Sequence, residues 1–447
     1  MPTARPHFFH ISAAFSRPRP HIFSAGVVRM HGKVLRLCGA LCLFALLLAL
    51  PALLPVGPVV PGLAGGGAST AQPPPSPAPS PAPTATPAAP GWRAVWVSYL
   101  EWQSVDFSTP ARYTADITQM LDDIAGLGAN VVLAHVRPFG DALYPSAYYP
   151  FSHLCTGAQG QDPGYDPLAL LLTQAHARGL QVEAWINPYR IQAGGAPALC
   201  AQSPALRHPD WAKAVDGGLY LDPASAAVRQ FIADAVAELC ANYPLDGIHF
   251  DDYFYPTTDP AFDEAAFAAS GAADRDAWRC QNVNALVALC WQAAHRYGVR
   301  FGIAPQGDPD AARAGQYSDA AAWLAAAGYV DYLAPQLYWG LNYQKSGDSS
   351  HSITALAARW DALPRAPGVA LYWGLGGYRI GVGDGGDGSA PLREWQSGAA
   401  LAGQFTALAG LGSGGAAVYR YASLFGNERW PTLAGQEVVA LRNAWAG

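Results

Sequence analysis

Eight apolar, β-rich runs alternate along this chain with amphipathic runs of helical period, and that alternation constrains the fold more than any other feature. The strand candidates are 93–99, 130–136, 181–187, 247–253, 300–306, 329–338, 369–374 and 416–421. Between them, 114–126, 167–178, 225–241, 282–297, 311–327 and 401–411 supply the crossovers that parallel neighbours require, and 434–446 ends the series. Eight strands, each followed by a helix, predict an α/β fold of the TIM (β/α)8 barrel type over residues 92–447.

Composition agrees with a large core and removes one class of partner. Of 447 residues 51% are hydrophobic and 13% charged, with a formal net charge of -6. A chain so apolar can fill a barrel, and without a basic stripe it offers no footprint for nucleic acid. Residues 1–64 differ from the rest, because basic residues up to Arg36 precede the apolar run Leu37 to Leu50. They read as a signal peptide or an N-terminal membrane anchor, with Met30 a more ordinary start for such a signal than Met1. Residues 65–91, almost all Pro, Ala, Ser, Thr and Gly, predict an unfolded, extended linker. Together these segments predict an exported protein of the cell envelope, secreted or tethered to the membrane; the oligomeric state is left open.

Five of the 7 cysteines lie beyond the linker: Cys155, Cys200, Cys240, Cys280 and Cys290. They contain no Cys-x-x-Cys pair, so structural zinc is unsupported. In an oxidising compartment Cys155 can pair with Cys200, and Cys240 with Cys280 or Cys290; the alternative is that they are small buried side chains.

In a barrel of this kind the C-terminal ends of the strands form the active face, so position along a strand decides which residues can act. The fourth strand candidate, Asp246-Gly247-Ile248-His249-Phe250-Asp251-Asp252-Tyr253, ends in two adjacent carboxylates. Alternation turns Ile248 and Phe250 toward the helices and leaves His249, Asp251 and Tyr253 facing the axis. Asp251 is therefore the leading catalytic candidate, with Asp252 its partner at the strand exit. The same parity turns His135 and Arg137 inward from the second strand, Glu183 and Asn187 from the third, Gln306 from the fifth, and Gln336 and Tyr338 from the sixth.

With Tyr189 and Arg190, these side chains suit a sugar, whose hydroxyl and acetamido groups need paired donors and acceptors. Tyr253, Trp339, Tyr372 and Trp373 offer faces for a pyranose ring. Glu183 lies early in its strand and reads first as a buried carboxylate neutralised by Arg or His. Adjacent aspartates are poorly placed to flank one bond, so a second acid from elsewhere, Asp141, Asp308 or Glu183, stays in consideration. His135, His249 and Asp251 show no His-x-His or His-Glu-x-x-His spacing, and neither a metal nor another cofactor is predicted.

Several motifs together resemble one family. They are Trp92-Arg93-Ala94-Val95-Trp96-Val97, Gly128-Ala129-Asn130, His135-Val136-Arg137-Pro138, Ala184-Trp185-Ile186-Asn187-Pro188-Tyr189-Arg190, Leu221-Asp222-Pro223 and Asp246 to Tyr253. They are similar to those of the bacterial glycosyl-hydrolase-like 10 family, and the likeness covers nearly everything after the linker. It implies an exported TIM-barrel glycosidase of the cell envelope, one branch of which hydrolyses peptidoglycan glycan strands stripped of their peptides. A weaker echo of the chitinase pattern Asp-Gly-x-Asp-x-Asp-x-Glu places Tyr253 where that pattern has its acid, so that mechanism does not transfer directly. The expectation is hydrolysis of a β-linked, N-acetylated bacterial glycan. Two alternatives are a tethered, non-catalytic glycan-binding module and a metal-dependent deacetylase.

Overall fold

The computed structural model describes residues 91–446. The expected export segment over 1–64, and all of the expected linker except Gly91, lie outside the described residues. Each of the eight expected strands is present: Arg93–Val97, Val131–Arg137, Gln181–Ile186, Gly247–Phe250, Arg300–Ile303, a sixth in two pieces (Tyr332–Leu333 and Gln336–Leu337), a seventh in two pieces (Ala370–Leu371 and Trp373–Gly376), and Ala416–Tyr419. All neighbouring strands pair in parallel. The eighth pairs with the first, Arg93 opposite Ala416, which closes the barrel.

The sixth strand is interrupted at Ala334-Pro335 because proline has no N–H to give. The ladder survives the gap: Ala334 N donates to Ile303 O, Gln336 N to Pro305 O, and Gly374 N to Pro335 O.

Helices cover the outside, and the sequence fixes where several begin. Thr109, Asp166 and Asp308 accept hydrogen bonds from first-turn N–H groups of Pro110–Gly126, Pro167–His176 and Pro309–Gln316, each with proline at the first turn. Ser225 and Asp274 cap Ala226–Asn242 and Arg275–His295 in the same way. The single helix expected over 311–327 is instead Pro309–Gln316 and Ala320–Ala325, divided where Tyr317 takes a left-handed conformation (φ 59°). A helix at Ile353–Asp361, after the sixth strand, was not expected. Among the described residues no helix is long and apolar enough to cross a membrane.

A second unexpected feature follows the third strand. Arg190–Gln192, Ala212–Val215 and Gly218–Leu221 form a small antiparallel sheet, with Gly218–Leu221 in the middle. Its hairpin turns on Asp216-Gly217, both at positive φ, as the Asp-Gly pair favours.

Large rings fill the barrel interior: Trp92, Trp96, Trp185, Tyr332 and Tyr372 pack there with Ala94, Val131, Leu133, Ala304, Ala334 and Ala417. Glycine makes room for them, since a Cβ on Gly302 would stand 2.0 Å from the Tyr332 ring. Close packing also explains two glycines of the seventh strand. Gly374 and Gly376 are in the seventh strand, where a Cβ would stand 2.8 Å from Pro335 O and 3.1 Å from Tyr338 Cβ respectively. All five cysteines among the described residues are free thiols, four of them buried. The structure therefore corrects the expected disulfides in favour of the small-buried-side-chain reading.

Candidate active site

The fourth strand delivers its two carboxylates to the barrel mouth in different ways. Asp251 faces inward and is 5% exposed. Its Oδ2 accepts from Asn187 Nδ2 at 2.5 Å and Trp185 Nε1 at 3.1 Å, while Oδ1 accepts from Tyr253 N at 3.0 Å. Burial, and then the like charge of Asp252, push the Asp251 carboxyl up to about 7, against the opposing pull of the Tyr253 N–H and Arg190. Asp252 has the opposite parity and is half-buried. Its Oδ1 accepts from Gln336 Nε2 at 3.1 Å and its Oδ2 from Gln316 Nε2 at 3.0 Å. Gln316 carries no strand signal in the sequence; it arrives at the site from the end of a helix.

One wall is built on Arg190. Its guanidinium donates to Pro138 O and Asn187 Oδ1 and lies 4.6 Å from the Tyr253 ring, 4.8 Å from Phe139 and 5.5 Å from Tyr99. That support leaves Tyr253 46% exposed, a fixed aromatic face at the mouth. A second aromatic group is Tyr338, Tyr378 and Tyr419, all half-buried, with ring centroids 5.5 to 6.1 Å apart. Tyr419 also lies 6.1 Å from Trp96 and 6.4 Å from Trp185. Strand parity carried the signal for Tyr419, two residues beyond the inward Ala417. Trp339 sits half-buried near Tyr343 and His351, and Gln306 bridges to the backbone of Gln336.

Several expected site residues are elsewhere. Arg137 does not share the inward parity of His135, because a bulge breaks the register: His135 is opposite Trp185, then Arg137 is opposite Ile186. Its buried guanidinium lies 4.2 Å over the Tyr149 ring. Tyr189 is fully buried, Trp373 packs in the core shared with the helices, and Tyr372 stacks on Trp92 at 4.4 Å.

His249 and Glu183 belong to the barrel floor. Trp96 Nε1 donates to His249 Nε2 at 3.1 Å, His249 Nδ1 meets Tyr332 Oη at 2.7 Å, and Tyr332 Oη donates to Glu183. Trp92 Nε1 at 3.3 Å and Arg300 Nε at 3.7 Å complete the Glu183 shell. Burial, then Arg300, holds the His249 imidazole down at about 3, so the ring is neutral.

Of the loop acids, Asp308 caps a helix and pairs with Arg359 and His351. Asp141 is fully buried behind His153, whose Nδ1 is 2.8 Å from its Oδ2. Among the described residues no three His, Cys, Asp or Glu side chains gather into a metal-ligand group.

A closed barrel whose mouth holds paired carboxylates among aromatic faces has the architecture of the TIM-barrel glycoside hydrolases. The fold is shared with the PgaB (BpsB) glycoside hydrolase domain from Bordetella bronchiseptica, at a TM-score of 0.50 over 80% of this chain and 99% of that one, with 16% sequence identity. The chain belongs to the glycosyl hydrolase-like 10 family, whose sequence model matches residues 91–387 and so spans the first seven strands. It is 36% identical over 317 residues to glycosyl hydrolase YngK of Bacillus subtilis, covering 64% of this chain and 61% of that protein's length. It is 34% identical over 331 residues to glycosyl hydrolase DigH of Escherichia coli, covering 65% and 74% of the respective lengths.

Proposed function

We propose that this chain hydrolyses a β-linked, N-acetylated bacterial glycan, with peptide-stripped peptidoglycan strands as its substrate. The observation that carries the reading is the Asp251–Asp252 pair, in which burial and a like charge hold one carboxyl near neutrality within an aromatic mouth. Near pH 7 Asp251 is about half-protonated, so a proton is available on it. Asp251 supplies that proton, and Asp252 is held beside it by two glutamine amides.

Neighbouring residues held by separate amides do not flank a bond from both faces as the usual carboxylate pair does. The substrate's acetamido oxygen therefore attacks the anomeric carbon. The glycosidic bond breaks, and its oxygen takes the proton from Asp251. Asp252 offsets the positive charge that develops on the acetamido nitrogen. Water then adds to the anomeric carbon, opens the cyclic intermediate and returns a proton to Asp251. Tyr253 and the three-tyrosine group offer the ring faces such a chain needs.

The resemblance to hydrolases of peptide-stripped strands supports the substrate, and the apolar and Pro/Ala-rich leading sequence supports export to the cell envelope on a tether. The test is mass spectrometry of products after the full chain is incubated with peptide-free and with intact peptidoglycan, beside its Asp251→Asn variant. New reducing-end fragments from peptide-free glycan, made by the wild type alone, support the reading. Binding with no turnover by either protein would sink it in favour of a glycan-binding module.

A further inference from the structure

The amide that holds Asp251 is itself held, and by more groups than an ordinary side-chain contact. Asn187 N donates to Arg137 O at 3.0 Å. Its Oδ1 accepts from Arg190 Nη2 at 2.6 Å and meets His135 Nε2 at 3.0 Å, while its Nδ2 donates to Asp251. Since Asn187 Oδ1 has no hydrogen, His135 must be the donor, with its proton on Nε2. Burial, then Arg190, holds the His135 imidazole well below its usual range, so the ring is neutral.

The other donor on Asp251 Oδ2 leads to the same histidine. Trp185, which supplies it, is stacked on the His135 ring at 3.6 Å and 5°. One buried imidazole thus touches both side chains that bind Asp251 Oδ2, and never touches Asp251. The register bulge beyond His135 makes this arrangement, because it turns Arg137 out of the lumen while presenting its carbonyl to the Asn187 N–H.

We propose that His135 is a positioning residue that sets the proton affinity of Asp251 through Asn187 and Trp185, rather than a substrate contact. The inference rests on the reading of Asp251 as the catalytic carboxyl, and it extends that reading to a second strand. The hydrogen bond polarises the Asn187 amide toward the Asp251 anion, and the stack fixes the indole N–H in line with Oδ2. Other ionisable groups facing Asp251 are Asp252 and Tyr253 beside it, Arg190 from the segment after the third strand, and Tyr338 from the sixth. A His135→Phe substitution leaves all of these charges in place and retains a ring for the stack.

The test is a pH titration of the Trp185 indole N–H resonance in the ¹⁵N-labelled full chain, assigned by Trp185→Phe. In the wild type the resonance should shift with a midpoint near 7, and Asp251→Asn should abolish that shift. With His135→Phe the midpoint should move to higher pH by about 0.5 to 1, the effect of losing one hydrogen bond that favours the anion. His135→Gln, which restores a donor, should return it part of the way. A midpoint unmoved by His135→Phe but moved by Asn187→Ala would overturn the proposal and leave His135 as packing alone. If His135→Phe does not fold, an unmoved midpoint in His135→Gln together with a moved one in Asn187→Ala has the same force. The titration needs no substrate, so a moved midpoint in a protein that cleaves no glycan would uphold the relay while refuting the proposed function.

Discussion

The barrel holds two buried carboxylates on its axis, one at the floor and one at the mouth, and they are treated oppositely. Glu183 and Asp251 each accept from a tryptophan indole and each lie in nearly solvent-free surroundings. At the floor the next charge is a cation, Arg300, and a tyrosine hydroxyl closes the shell. At the mouth the next charge is another carboxylate, and the supporting donors are amides. Both carboxyls are pushed upward by burial; at the floor the Arg300 cation is the first force against that push, whereas at the mouth the Asp252 charge adds to it and Arg190 opposes it only behind the Tyr253 N–H. Burial alone therefore does not distinguish the two carboxylates; the sign of the nearest charge does.

Removing the two carboxylates in turn should break that comparison most sharply. Asp251→Asn should lower turnover by about 10³-fold, in the range that general acid catalysis supplies, with the fold retained by circular dichroism. Glu183→Gln should instead leave kcat per folded molecule within about twofold and lower the unfolding midpoint, since it disturbs a satisfied buried network. If Glu183→Gln abolished turnover without destabilising the chain, the division between floor and mouth would be wrong.

The raised proton affinity of Asp251 should also appear as a pH dependence of stability. The Asp251 carboxyl moves from the ordinary aspartate value of 3.8 in the unfolded chain up to about 7 in the folded one, so between these values the folded state binds the proton more tightly. Its contribution to stability is fully present below about 4 and is lost as pH rises through about 7, in total roughly 2–4 kcal/mol. Denaturant unfolding from pH 4 to 8 should show this loss in the wild type, and the Asp251→Asn variant should lack it. Equal slopes in the two proteins would mean that Asp251 titrates normally.

Charge removal at the floor should have a smaller effect. Arg300→Met leaves Glu183 with hydrogen bonds but no cation. Breaking a fully buried ion pair costs about 3–5 kcal/mol, but Arg300 is part-exposed and its Nε is 3.7 Å away, so about 2 kcal/mol is expected. Unfolding by urea measures it, and turnover per folded molecule should hold.

These differences were unequally legible in the sequence. The eight strands and the inward placing of Asp251 follow from period and parity, which are local. Arg137 was misplaced by the same parity because one extra residue, visible only in the pairing with Ile186, reverses everything after it. Gln316 and Tyr378 come from a helix end and a short turn after the seventh strand, where no alternation exists to assign a direction. Trp373 and Tyr372 looked like sugar platforms by residue type alone, but their strand carries one into the outer core and the other to the floor. The Asp216-Gly217 hairpin, by contrast, was written in a dipeptide that reads as a turn on its own.

The smallest expected effect concerns the exposed edge of the mouth. Tyr253 is bound to the carboxylate pair through its backbone, its N–H on Asp251, and to the wall through its ring on Arg190. Removing only the ring should separate substrate contact from chemistry. Tyr253→Ala should raise KM about 5–10-fold, the loss of a stacking contact worth about 1 kcal/mol, while kcat stays within about threefold because the backbone donor remains. Tyr253→Phe should behave as wild type if the face alone matters. A fall in kcat of the size expected for Asp251→Asn would place Tyr253 in the chemistry, at the position where the chitinase pattern carries its acid, and would move the mouth's reactive centre one turn of backbone outward from the buried carboxylate.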